Sequence, residues 1–73
     1  MNYLIQYSSY DKNGSAIRYN KKMRVKNSDN KLVAQVKLDK YLEQKFSGHH
    51  KLVVHDIIED NEITDFFKEM FGF

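Results

Sequence analysis

The chain contains no cysteine, no proline and no tryptophan, and only three glycines in 73 residues. Without cysteine there are no disulfides and no thiolate metal ligands, so so small a fold must be held by packing, hydrogen bonds or a partner. Without proline, no stretch is barred from helix or strand on that account. Long hydrophobic runs are also missing. The longest, such as 32–34 and 52–54, reach three residues, far below the ~18 that a membrane-spanning helix needs. The start, Met1-Asn2-Tyr3-Leu4-Ile5-Gln6, has neither the basic nor the apolar part of a secretory peptide. A cytoplasmic protein with no membrane partner is the expectation. No glycine-rich phosphate loop and no nucleophile elbow occur, and neither enzymatic chemistry nor a cofactor is expected.

What the chain does have is charge sorted by position and a store of aromatics. Residues 1–51 carry 11 of the 12 lysines and arginines against four acids, a local balance of +7. Residues 52–73 carry Lys68 against Asp56, Glu59, Asp60, Glu62, Asp65 and Glu69, a balance of −5. An overall +2 conceals this dipole, which bears on partners more than on fold. Five tyrosines and five phenylalanines supply much of the apolar 41%. A single domain spanning 1–73 is expected, with a thin stability margin because a chain of this size buries only about 60% of its unfolded surface.

Tyr3, Ile5 and Tyr7 alternate with Leu4, Gln6 and Ser8, the period of a strand. Asn13-Gly14 suggests a type I′ turn, closing a hairpin over 1–26. On its second strand Ile17, Tyr19, Met23 and Val25 would share one face, with Lys21 a misfit, and Arg18, Asn20, Lys22, Arg24 and Lys26 the other. Any residue of Asn27-Ser28-Asp29-Asn30 can cap a following helix. Residues 32–38 alternate in a way that suits a strand. However, Ala34, Leu38, Tyr41, Leu42, Lys45 and Phe46 recur at three and four, and the composition favours one helix over 29–47 ending at Gly48. The β-branched stretch 51–58 is apolar on both faces and reads as a central or doubly covered strand. Residues 62–71 suit a short helix or a packed tail. The expected fold is α+β, in the order β-β-α-β-α: a three-stranded sheet with one long helix on one face and a short C-terminal helix.

Two surfaces stand out. Alternate residues on a strand lie about 6.6–6.8 Å apart, so Arg18, Lys22, Arg24 and Lys26 would form a row able to follow a polyanion such as a nucleic-acid backbone, with Tyr10 beside it for stacking. The competing reading is a solvated edge strand guarded by lysines. Phe66, Phe67, Met70, Phe71 and Phe73 are too many apolar groups for a solvated tail. They predict core packing, a homodimer contact or a docking anchor for a protein partner. His49, His50 and His55 do not have zinc-ligand spacing, so no metal site is expected.

The spacing Ala34-x₃-Leu38-x₂-Tyr41-Leu42-x₂-Lys45, followed by Leu52-Val53-Val54-His55 and preceded by a Tyr- and Lys-rich hairpin, resembles small uncharacterised proteins carried by bacteriophages and other mobile elements. That resemblance implies an accessory protein that blocks or bridges a host protein. The functional expectation is a small binding module acting through a macromolecular interface, as an inhibitor or adaptor. The alternatives are nucleic-acid binding through the basic strand face and a structural component acting as a multimer.

Overall fold

The computed structural model describes residues 1–60. The expected helix at 62–71 and the aromatic group Phe66, Phe67, Met70, Phe71 and Phe73 lie outside the described residues. Those described form an α+β unit: β1 (Tyr3–Tyr10), β2 (Ala16–Val25), α1 (Lys31–Lys45) and β3 (Lys51–Glu59). The sheet order is β2-β1-β3, and both pairings are antiparallel. β1 is therefore the central strand. β3, expected to be central or doubly covered, is an edge strand with several exposed positions.

The reason lies in a bulge. β1 pairs with β3 in one register through Gln6↔Asp56 and in another from Tyr7↔Val54, which leaves His55 as the extra residue. The extra residue reverses the alternation. Leu52 and Val54 on one side of it and Ile57 on the other all pack against the core. An apolar pattern that looked two-sided is one-sided, with a step in phase.

The hairpin forms where expected, with different turn chemistry. Gly14 N–H donates to Asp11 C=O at 3.1 Å, and Asp11 N–H donates to Ser15 C=O at 2.9 Å. The Asp11 carboxylate accepts from the amides of Asn13 and Ser15, each at 2.9 Å. Gly14 has φ +85°, whereas Asn13 is not left-handed. This is a three-residue loop with glycine in the left-handed position rather than the two-residue type I′ turn.

The single helix over this region stands, and 32–38 is not a strand. Asn30 is its cap, in extended conformation, and its side-chain oxygen accepts from Val33 N–H at 2.9 Å. The helix ends at Lys45, and Phe46 takes an extended conformation while its N–H still reaches Leu42 C=O at 2.8 Å. Gly48 does not supply a left-handed cap. A β-carbon there would lie 3.3 Å from Ile17 Cδ1, so glycine allows this close approach. Ala34, Leu38 and Leu42 of α1 pack on Tyr3, Ile5, Tyr7 and Val25 to form the core. Each large side chain so buried contributes roughly 1.5–3 kcal/mol. Tyr41, expected inward with them, is 41% exposed.

Candidate functional site

The expected row of cations on one flat strand face is not what β2 presents. The register between β1 and β2 runs regularly from Tyr3↔Val25 to Tyr7↔Lys21, then shifts to Ser9↔Arg18 and again to Tyr10↔Ala16. Asn20, at φ +52°, sits in the first shift, a conformation that asparagine tolerates better than most residues. Beyond it Arg18 pairs with Ser9 on the α1 side of the sheet. Its Nε donates to Tyr7 Oη at 3.2 Å, and its guanidinium lies 5.2 Å from the Phe46 ring centroid. Tyr19, expected on the apolar face, is 66% exposed.

The other three cations are also separated. Lys22, paired with Gln6, is exposed on the sheet face away from α1. Arg24 is buried and bound through Nε to Asp60 Oδ2 at 2.8 Å. Lys26 follows the end of β2, and its carbonyl accepts from Lys37 Nζ at 3.3 Å. The structure thus disperses Arg18, Lys22, Arg24 and Lys26 over two faces and a strand end.

In their place the bulges gather polar groups at the middle of β1. Ser8 is fully buried; its Oγ accepts the Asn20 N–H at 2.9 Å and lies 2.7 Å from His55 Nε2. The Asn20 side-chain oxygen also accepts from Gln6 Nε2. On the opposite face, Ser9 Oγ lies 2.5 Å from His49 Nδ1, and His49 Nε2 lies 2.6 Å from Asp39 Oδ1. A carboxylate can only accept, so in the neutral ring Nε2 carries the proton and Nδ1 accepts from the serine hydroxyl.

Ser9, His49 and Asp39 have the composition of a nucleophilic triad. Ser9 is completely buried, so its Oγ is not open to solvent. The arrangement ties α1 through Asp39 to β1 through Ser9, with the chain just after the helix as the bridge. Sequence reasoning missed it because the three residues are far apart in the chain and none sits in a motif. Among the described residues no group of three or more His, Cys, Asp or Glu is placed to hold a metal ion, and no helix is long and apolar enough to cross a membrane.

The surface with the most recognisable chemistry is a groove of about 320 Å³ between α1 and the outer edge of β2. One wall is the consecutive run Met23-Arg24-Val25-Lys26, and the other comprises Lys37, Leu38 and Tyr41. Its lining is overwhelmingly apolar; Arg24 belongs to the strand wall, but its guanidinium is bound to Asp60 on the other face of the sheet. Lys37 Nζ is anchored on the carbonyls of Lys26 and Asn27, which fixes a positive charge at one end. On the far side of α1 a second groove, about 350 Å³, is lined by Leu32, Val36, Asp39 and Lys51 among others. Here Leu32 is 70% and Val36 46% exposed, and both signs of charge are present.

No family model, curated protein or solved structure matches this chain. The class that the described residues define is a small α+β unit with an antiparallel three-stranded sheet, one helix and an apolar groove beside an edge strand.

Proposed function

We propose that this domain is a non-enzymatic binding module that works by docking on a protein partner, as an inhibitor or adaptor of the kind its resemblance to mobile-element accessory proteins implies. The observation that carries this reading is the groove between β2 and α1. An apolar depression with a few fixed charges, at the junction of two elements, is the usual form of a recognition site. Tyr41, half exposed at its lip, is a residue type enriched at interfaces because it brings a large apolar area and one polar tip. The exposed Leu32 and Val36 on the same helix add apolar contact surface.

The dispersal of the four β2 cations weighs against a nucleic-acid interface built on that strand face, since backbone binding needs several phosphates neutralised together. The decisive experiment is affinity capture in extract of the encoding organism, with and without nuclease. A protein retained in stoichiometric amount after nuclease treatment is the expected result. Loss of all captured material on nuclease treatment would replace this reading with nucleic-acid binding. Self-association, including any contributed by Phe66, Phe67, Met70, Phe71 and Phe73, is read separately by analytical ultracentrifugation across micromolar concentrations.

A further inference from the structure

Independently of that reading, which concerns the α1 side of the sheet, we infer that the sheet face opposite α1 is a docking surface for the chain's own segment 61–73. Its phenylalanines would lie on the cross-strand row Ile58–Leu4–Arg24. Three observations converge on this occupant.

The first is a burial that the described elements do not explain. Tyr3, Ile5 and Tyr7 of β1 pack against α1, so the intervening Leu4 and Gln6 point to the opposite face. Leu4 pairs with Arg24 on one side and Ile58 on the other, and Gln6 pairs with Lys22 and Asp56. These are neighbouring rows on one face. In the second row Lys22 and Asp56 are exposed, as a face without a further layer requires. In the first, Arg24 and the Asp60 that it binds keep only 2% and 1% of their side chains exposed. Two side chains bonded to each other on an open face shield one flank each and leave the other to water. Burial this complete needs a cover, and α1 lies on the far side of the sheet.

The second is where the chain goes next. Residues 61–73 depart from Asp60, whose carboxylate already sits on Arg24. Two strand spacings, about 9–10 Å, separate β3 from β2. An extended chain crosses that span in about three residues, and 61–73 supply several times as many. The tether also holds the segment at a high effective concentration over this face, an advantage that a second copy lacks.

The third is composition. Residues 61–73 carry Phe66, Phe67, Met70, Phe71 and Phe73, with Glu62, Asp65 and Glu69 against Lys68. The row beneath offers Leu4, half-buried, and Ile58, 48% exposed at its margin. Aromatic rings laid there bury apolar area and meet a guanidinium, a favourable neighbour for a ring face. The exposed Lys22 one row away gives the segment's acids a charge of opposite sign, which serves register more than affinity.

The test uses the full chain, first in a sample mixing isotope-labelled and unlabelled molecules, which separates contacts within one molecule from contacts between two. Side-chain protons of the segment's phenylalanines and Met70 should show intramolecular NOEs to Leu4 and Ile58. The variant Phe66→Ser/Phe67→Ser/Phe71→Ser should speed solvent exchange of the Arg24 Nε–H roughly tenfold or more. The methyl shifts of Leu38 and Leu42, on the other side of the sheet, should stay close to the parent's. Should that variant unfold, the NOE pattern of the parent decides alone.

NOEs from the segment to Leu38 and Tyr41 or to Leu32 and Val36, NOEs only between molecules, none at all, or unchanged Arg24 exchange in a folded variant would each overturn the inference. Contacts with Leu38 and Tyr41 would also fill the groove on which the binding-module reading stands. Contacts between copies on the open face would overturn this inference alone.

Discussion

Arg24 on one edge strand and Asp60 just past the other are joined across the sheet, Nε to Oδ2 at 2.8 Å, with both side chains almost completely buried. Arg24 lies opposite Leu4 on the central strand, and Asp60 N–H donates to Asn2 C=O at 2.8 Å. The pair therefore spans β1 and ties the two outer strands together at one end of the sheet. Removing one partner leaves a buried charge without its counterpart, which typically costs about 3–5 kcal/mol. Asp60→Ala and Arg24→Ala should each approach that loss in urea unfolding. The double variant Arg24→Met/Asp60→Leu should recover much of it. Additive losses in the double variant would show that the two side chains are not coupled.

The Ser9–His49–Asp39 link predicts a graded series. Ser9→Ala leaves a buried ring nitrogen without its hydroxyl and should cost about 1–3 kcal/mol. Asp39→Asn retains an acceptor for Nε2–H at a position whose side chain is 43% exposed, so a smaller loss is expected, under about 1 kcal/mol. Denaturant midpoints of the two variants give the comparison. A larger loss from Asp39→Asn than from Ser9→Ala would mean that the helix side is the stronger anchor.

The phase of α1 is tested by two leucines. Leu38 is 1% exposed and Leu32 70%. Leu38→Ala should cost about 2–5 kcal/mol, enough to unfold much of so small a domain, whereas Leu32→Ala should leave the unfolding midpoint close to the parent's. Similar effects from both would mean that the inward face has been wrongly placed.

Asn20 and its positive φ predict a backbone effect. Asn20→Val places a β-branched residue in the left-handed region and should destabilise by about 1–3 kcal/mol. Asn20→Gly relieves the conformation but loses the side-chain acceptor for Gln6, so it should lie near the parent. The order Val below Gly in thermal midpoint is the check.

Much of the fold was legible because its elements follow simple periods. The helix declared itself through Ala34, Leu38 and Leu42 and through an asparagine suited to capping, although four candidate caps gave no means of singling out Asn30. The hairpin was legible, but its turn was not, because Asp11 rather than Asn13-Gly14 organises it through two side-chain bonds. The site reading suffered most from assuming unbroken alternation. Lys21, out of place on an apolar face, was the visible sign that β2 changes phase nearby. Likewise Leu52 and Val54 followed by Ile57, rather than a residue at 56, marked the bulge at His55. The groove could not be read at all, since it exists only once α1 lies beside the far end of β2.

The central position of β1 has a consequence during synthesis. Its hairpin partner β2 follows at once, but its other partner β3 leaves the ribosome only after the whole helix has been made. At about 5–20 residues per second that interval lasts a few seconds. Throughout it, the Tyr3–Tyr10 strand has one edge paired and one open, so the nascent chain passes through a stage in which a neighbouring copy's strand could take the place reserved for its own.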